Sequence, residues 1–83
     1  ISVFFGIVIA MDYDDHSPPH FHARYGEHEA LIEIDTAAVL RGRLPRRALA
    51  MVIEWTNLHH HELLVDWDAA SKGLPLAPIP PLD

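Results

Sequence analysis

Cysteine is absent from the 83 residues, so no disulfide framework holds the chain together. A reducing compartment is the simplest setting, and a cytoplasmic location is the expectation. Basic side chains are scarce, six against twelve acidic ones for a formal charge of -6, which argues against tight non-specific binding to nucleic acid. No apolar run reaches the ~18 residues of a membrane-spanning helix, and no membrane association is expected. Nothing in the chain resembles a glycine-rich phosphate loop, a serine-based triad or a zinc ribbon. What is present is ordinary globular usage: hydrophobic residues at 49% and charged residues at 22% exclude a disordered tail, a coiled coil and a collagen-like fibre. The length fits one small domain with a thin core, burying roughly 60% of the surface exposed in the unfolded chain.

Val3 to Met11 is apolar on both alternating faces: Val3, Phe5, Ile7, Ile9 and Met11 against Phe4, Val8 and Ala10. Its β-branched and aromatic content points to one core strand covered on both sides. A signal-peptide core can look similar, but no basic residue precedes this run. The sequence begins at Ile1 rather than Met, and a few native residues are expected before it. Asp12 to Pro19 reads as a loop stiffened by Pro18 and Pro19. His20 to Tyr25 and His28 to Asp35 alternate as strands, joined by a two-residue turn at Gly26-Glu27. A fourth, edge-like strand fits Val39 to Leu44.

Pro45 suits a helix start, and no glycine or proline follows until Lys72-Gly73, a stop signal. The stripe of Ala48, Leu49, Val52, Ile53 and Trp55 does not join that of Leu63, Leu64, Trp67 and Ala70. Two helices follow, roughly 45–58 and 61–72, with Asn57 or a histidine at the break, and both tryptophans packing in the core. The fold class is α+β: an antiparallel sheet of three or four strands with two C-terminal helices packed on one face. Residues 1–73 form the single domain, and 74–83 a proline-rich extended tail that lies on it or reaches for a partner. Helices on one face leave the other side of a two-faced first strand uncovered, a hint of the tail, a homodimer mate or another protein.

Chemistry concentrates in Asp14-Asp15-His16-Ser17-Pro18-Pro19-His20-Phe21-His22. On one strand His20 and His22 share a face, with Cβ atoms ~6.5–7 Å apart. Such a pair can be solvated or structural, can act as acid and base around a scissile bond, or can ligate a metal. His16, His20 and His22 are the candidate metal set, with Asp14 or Asp15 as a further ligand or as an orienting group. No cofactor is expected, and zinc is the metal such a set would take. Arg41, Arg43, Arg46 and Arg47 place four of the six cations within one short run. Together with Arg24 they are candidate phosphate contacts; for the four of the run the alternative is plain solvation or pairing with Glu29, Glu33 and Asp35. His59-His60-His61 cannot share one helix face and reads as capping or solvated, although His59 could meet His20 or His22 if it packs back over the sheet.

The runs F-F-G-I-V-I, D-D-H-S-P-P-H-F-H-A-R-Y-G-E and L-P-R-R-A-L, with E-W and L-H downstream, resemble the family labelled Domain of Unknown Function 4160. The similarity extends from Phe4 to about Pro81. His16, Pro18, Pro19, His20, Phe21, His22, Tyr25 and Gly26 match its signature, and Leu44, Pro45, Arg46, Arg47, Trp55 and His59 its helical part. Ala37 stands where a turn glycine is expected, while His60 and His61 look particular to this chain. The resemblance implies genes set beside a second small protein, an arrangement similar to toxin–antitoxin modules. Three readings follow. In the first, one component of such a pair acts on RNA through His20 and His22 without a metal, with Arg24, Arg43 or Arg46 stabilising the phosphorane. The second is a non-catalytic module that neutralises or regulates a small protein partner encoded nearby. The third is a small metal-binding domain.

Overall fold

The N-terminal apolar run does not continue straight. In the computed structural model, which describes residues 1–13 and 16–83, Phe5 and Gly6 have φ of +48° and +79°. Two consecutive left-handed residues make a type I′ turn, and its twist matches that of the strands it joins. The expected first strand is therefore a hairpin, β1 (Ser2–Phe4) and β2 (Ile7–Ala10), with Phe4 opposite Ile7. The reversal also resolves the two-faced pattern. Phe4, Ile7 and Ile9 point into the core, while Val3, Phe5 and Val8 are exposed.

β3 (His20–Tyr25), β4 (His28–Glu33) and β5 (Val39–Gly42) complete a meander in the order β1-β2-β3-β4-β5, each strand antiparallel to its neighbour. Among the described residues the sheet thus has five strands, one more than the largest number expected, because the first apolar run supplies two. The β3–β4 turn falls at Gly26-Glu27 as expected, with Tyr25 facing His28. Between β4 and β5, Ala37 takes φ +59° and donates its N–H to the Glu33 carbonyl at 2.9 Å. Thr36 steadies this turn, donating to Glu33 Oε1 at 2.6 Å and accepting from the Ala38 N–H at 3.1 Å. Alanine thus holds the left-handed conformation for which glycine was expected. β5 stops at Gly42, short of the expected Leu44, where the backbone turns left-handed at φ +76°.

α1 (Arg46–Leu58) and α2 (His60–Ser71) break at His59. The end of α2 is closed by two bonds, Leu74 N–H to Ala69 O at 2.9 Å and Gly73 N–H to Ala70 O at 3.1 Å, the paired arrangement of a Schellman motif. α1 turns Ala48, Val52, Trp55 and Thr56 inward. Leu49 is half-buried, and Ile53, expected in the same stripe, is exposed. Trp55 is fully buried, its ring centroid 5.3 Å from Phe4 and 5.7 Å from Phe21.

The tail lies on the domain. Ile79 is buried and donates its N–H to the Ile1 carbonyl at 3.0 Å. Trp55 Nε1–H donates to the Pro80 carbonyl at 2.9 Å, and buried Asp66 accepts the Ala77 N–H at 2.8 Å. Among the described residues, no helix is long and apolar enough to cross a membrane.

At Gly42 the backbone has φ +76°, and a Cβ there would collide with the Glu29 carbonyl. That oxygen already accepts the Arg43 N–H at 3.1 Å. Gly42→Ala is expected to destabilise the domain by about 3 kcal/mol, combining left-handed strain with a backbone clash. Urea unfolding measures this as a lower midpoint at unchanged slope; an unshifted midpoint would contradict the β4–β5 register.

Candidate functional site

Pro19 is tied to the far end of β4 by the Ile34 N–H, which donates to its carbonyl at 3.0 Å. His20 follows as the first residue of β3 and is buried. Its Nδ1 lies 2.8 Å from the Pro18 carbonyl. A carbonyl only accepts, so in the neutral ring Nδ1 carries the proton and Nε2 is the basic nitrogen. The ring packs on Trp67 of α2, centroids 5.2 Å apart, and sits 5.8 Å from the ring of His22. Trp67, expected only to fill the core, is thus also a wall of the histidine site.

His22 lies between two carboxylates. Nε2 is 3.1 Å from Asp12 Oδ2 and Nδ1 is 3.1 Å from Glu29 Oε2. A neutral imidazole can donate to one of them; an imidazolium donates to both. Arg24 Nε reaches the same Glu29 oxygen at 3.2 Å. The Glu29 carboxyl is held below its ordinary value of 4.5, chiefly by the hydrogen bond with His22, against an opposing desolvation, with the hydrogen bond and charge of Arg24 adding to the fall. Asp12 was not among the candidate residues, and Glu29 was named only as a partner for the arginine run. Glu29 was accessible to sequence reasoning, because a two-residue turn at Gly26-Glu27 sets Arg24 opposite Glu29.

The other candidates lie elsewhere. His16 is exposed in the loop before β3, and Asp14 and Asp15 fall outside the described residues. Among the described residues, no three histidine, aspartate or glutamate side chains are grouped to hold a metal ion. Arg41 shares the sheet face of His22, one strand beyond Leu31, at a lateral separation of ~10 Å. Arg43 follows β5, and Arg46 and Arg47 open α1. His59 packs its ring on Trp55 at 5.5 Å and pairs with Glu62 at 2.7 Å. His60 pairs with Asp35 at 3.0 Å, and His61 is exposed. The structure therefore brings His20, His22 and Arg24 together, with Asp12, Glu29 and Trp67 around them, and sets the arginine run apart.

A carboxyl whose value falls on folding stabilises the protein above its unfolded value and loses that contribution as pH drops through the folded one. Glu29→Gln should therefore cost stability near pH 6, by no more than about 1 kcal/mol because the group is exposed and screened. The difference from wild type should close as the solution is acidified below 4.5, the ordinary value for the carboxyl. Parallel denaturant titrations at the two pH extremes test this, and a gap that persists or widens in acid would be inconsistent with the carboxylate arrangement.

Comparison with known proteins adds one assignment. No curated protein matches the chain, and no solved structure does. The model of one family, described as Domain of unknown function (DUF4160), matches residues 6–68, from the start of β2 through most of α2 and across the whole histidine site. The chain belongs to the DUF4160 family.

Proposed function

We propose that this domain is a protein-binding, non-catalytic half of a toxin–antitoxin-type pair, meeting its small protein partner through the open sheet face at the β1–β2 hairpin. One observation carries the reading. Phe5 is 59% exposed while held at φ +48°, a conformation that costs a non-glycine residue about 1–2 kcal/mol. An exposed phenylalanine in a strained turn does nothing for an isolated fold, and such strain collects at binding and switch regions. Beside it Val3 and Val8 are directly paired and both exposed. The next two residues of that cross-strand row are Arg24 and Glu29. An apolar centre with a charged, internally paired rim has the make-up of a protein interface. The genetic neighbourhood implied by family resemblance supplies the two-protein context, and the cytoplasm is where such a pair would operate.

A second reading, acid–base cleavage of RNA, is favoured by the His20 geometry. With Nδ1 donating to the Pro18 carbonyl, Nε2 would be the base that takes a 2′-hydroxyl proton. His22 would return a proton to the leaving oxygen, and Arg24 would face the phosphorane. Against it, Asp12 and Glu29 bracket His22 at 3.1 Å each and would repel an approaching phosphodiester.

Phe5→Asn separates the two. Asn-Gly is the preferred type I′ pair, so this variant should be more stable by about 0.5–1 kcal/mol. It should nonetheless lose co-purification with the product of the adjacent gene. Unchanged capture would overturn the interface. Growth arrest on inducing this protein alone, relieved by His22→Ala at undiminished thermal stability, would establish the RNA reading in its place.

A further inference from the structure

Two of the six cations hold carboxylates: Arg24 pairs with Glu29 at 3.2 Å and Lys72 with Asp68 at 3.0 Å. The other four, Arg41, Arg43, Arg46 and Arg47, pair with no carboxylate among the described residues. The acids of β4 and of the turn after it that could face this run are engaged elsewhere. Glu29 serves His22 and Arg24, Glu33 accepts from Thr36, and Asp35 holds His60. From Thr36 to Ile53 the chain has no acidic residue at all. A protein of net charge -6 thus presents one concentrated positive stretch that no carboxylate among the described residues pairs. α1 begins inside it with no side-chain cap and no acidic residue in its first turn, so the helix dipole adds to the positive field.

The same stretch contains β5, the last strand of the meander. All four of its residues are exposed, Val39 and Leu40 at 40% and 44%. A terminal strand presents backbone N–H and C=O groups to any extended chain that can align with it.

We propose that β5 accepts an extended acidic segment of the partner protein as a sixth strand, its carboxylates facing Arg41, Arg43, Arg46 and Arg47. The inference rests on the protein-binding reading above and names the chemistry of the partner. Backbone pairing and contact with Val39 and Leu40 favour a polypeptide, since a phosphate chain would use the cations alone. A second copy of this chain is disfavoured, because β5-to-β5 pairing would bring two copies of the arginine run to one seam. The register shift at Leu40, between the Arg41 and Val39 pairs, and the two arginines on the edge suppress indiscriminate pairing. An acidic strand is the occupant that turns those charges into attraction.

The test titrates the isotope-labelled full chain with a short peptide alternating Val and Glu, followed by amide NMR shifts. Comparison ligands are the same peptide with Gln for Glu, a version N-methylated on alternate amides, and a uridine oligonucleotide. The acidic peptide should shift Val39 to Arg43. Its affinity should fall about tenfold or more on replacing Glu by Gln, on N-methylation, in high salt, and in the Arg41→Glu, Arg43→Glu variant. Equal binding of the Glu and Gln peptides, shifts elsewhere on the domain, or binding of the oligonucleotide alone would overturn the proposal. So would a dimer by sedimentation that dissociates in that variant. The N-methylated peptide decides the matter even if the arginine variant folds poorly. With the adjacent gene product co-expressed, a complex lost in Phe5→Asn but kept in the arginine variant sinks the β5 site and leaves the protein-binding reading intact. Absence of any complex sinks that reading, while the peptide titration still judges the edge.

Discussion

The indole of Trp55 is the point through which the parts of this domain are held together. Its ring meets Phe4 from β1 and Phe21 from β3, so one side chain of α1 reaches across three strands of the sheet. Its N–H is buried with it and cannot be left without an acceptor. The Pro80 carbonyl fills that requirement, which makes the proline-rich tail part of the core. Ile79, between two prolines, closes the same region as a buried hydrophobe. In a chain of this size a single aromatic anchor, satisfied at both its apolar and its polar end, removes much of the burden from a thin core.

The surface follows from how the charges are distributed. Histidines draw the carboxylates: His22 takes Asp12 and Glu29, His59 takes Glu62, and His60 takes Asp35. Among the described residues, the arginines of β5 and α1 are left without them. The sequence run that looked like one basic motif beside one histidine motif therefore becomes two surfaces of different character. One is internally compensated and walled by Trp67; the other carries positive charge beside an exposed strand. A catalytic pair and a docking edge place opposite demands on such charges, since catalysis needs cations at the histidines and docking needs them unpaired. The distribution here meets the second demand.

Elements with their own local grammar were legible before the structure. Gly26-Glu27 marked a two-residue turn, the loss of phase near Asn57 marked a helix break that falls at His59, and Lys72-Gly73 marked the stop of α2. Each depends on residues that specify backbone geometry within a few positions. The β1–β2 turn was not legible, because Phe5 is a poor turn residue and Gly6 alone does not interrupt an apolar run. The chain folds back there because a straight strand would bury Val3 and Phe5 no better and would forgo the ladder of Ser2, Val3 and Phe4 with β2. The histidine face was legible, but its carboxylate partners depend on cross-strand register and its Trp67 wall on helix placement. Asp66 was also missed, since a buried aspartate facing a tail amide has no signature along the helix.

The sequential meander has a consequence for how the molecule assembles. Every strand pairs with its neighbour in the chain, so most of the sheet forms through short loop closures, the kind that make folding fast. The tail is different: Ala77 returns to nearby Asp66, but Ile79 and Pro80 return to Ile1 and Trp55 across long stretches of chain. Because loop-closure entropy must be met before such contacts form, that segment is suited to docking after the local pairings. A fold built mainly from near neighbours is thus closed by its most distant contacts, and its slowest-forming clasp holds the tryptophan at its centre.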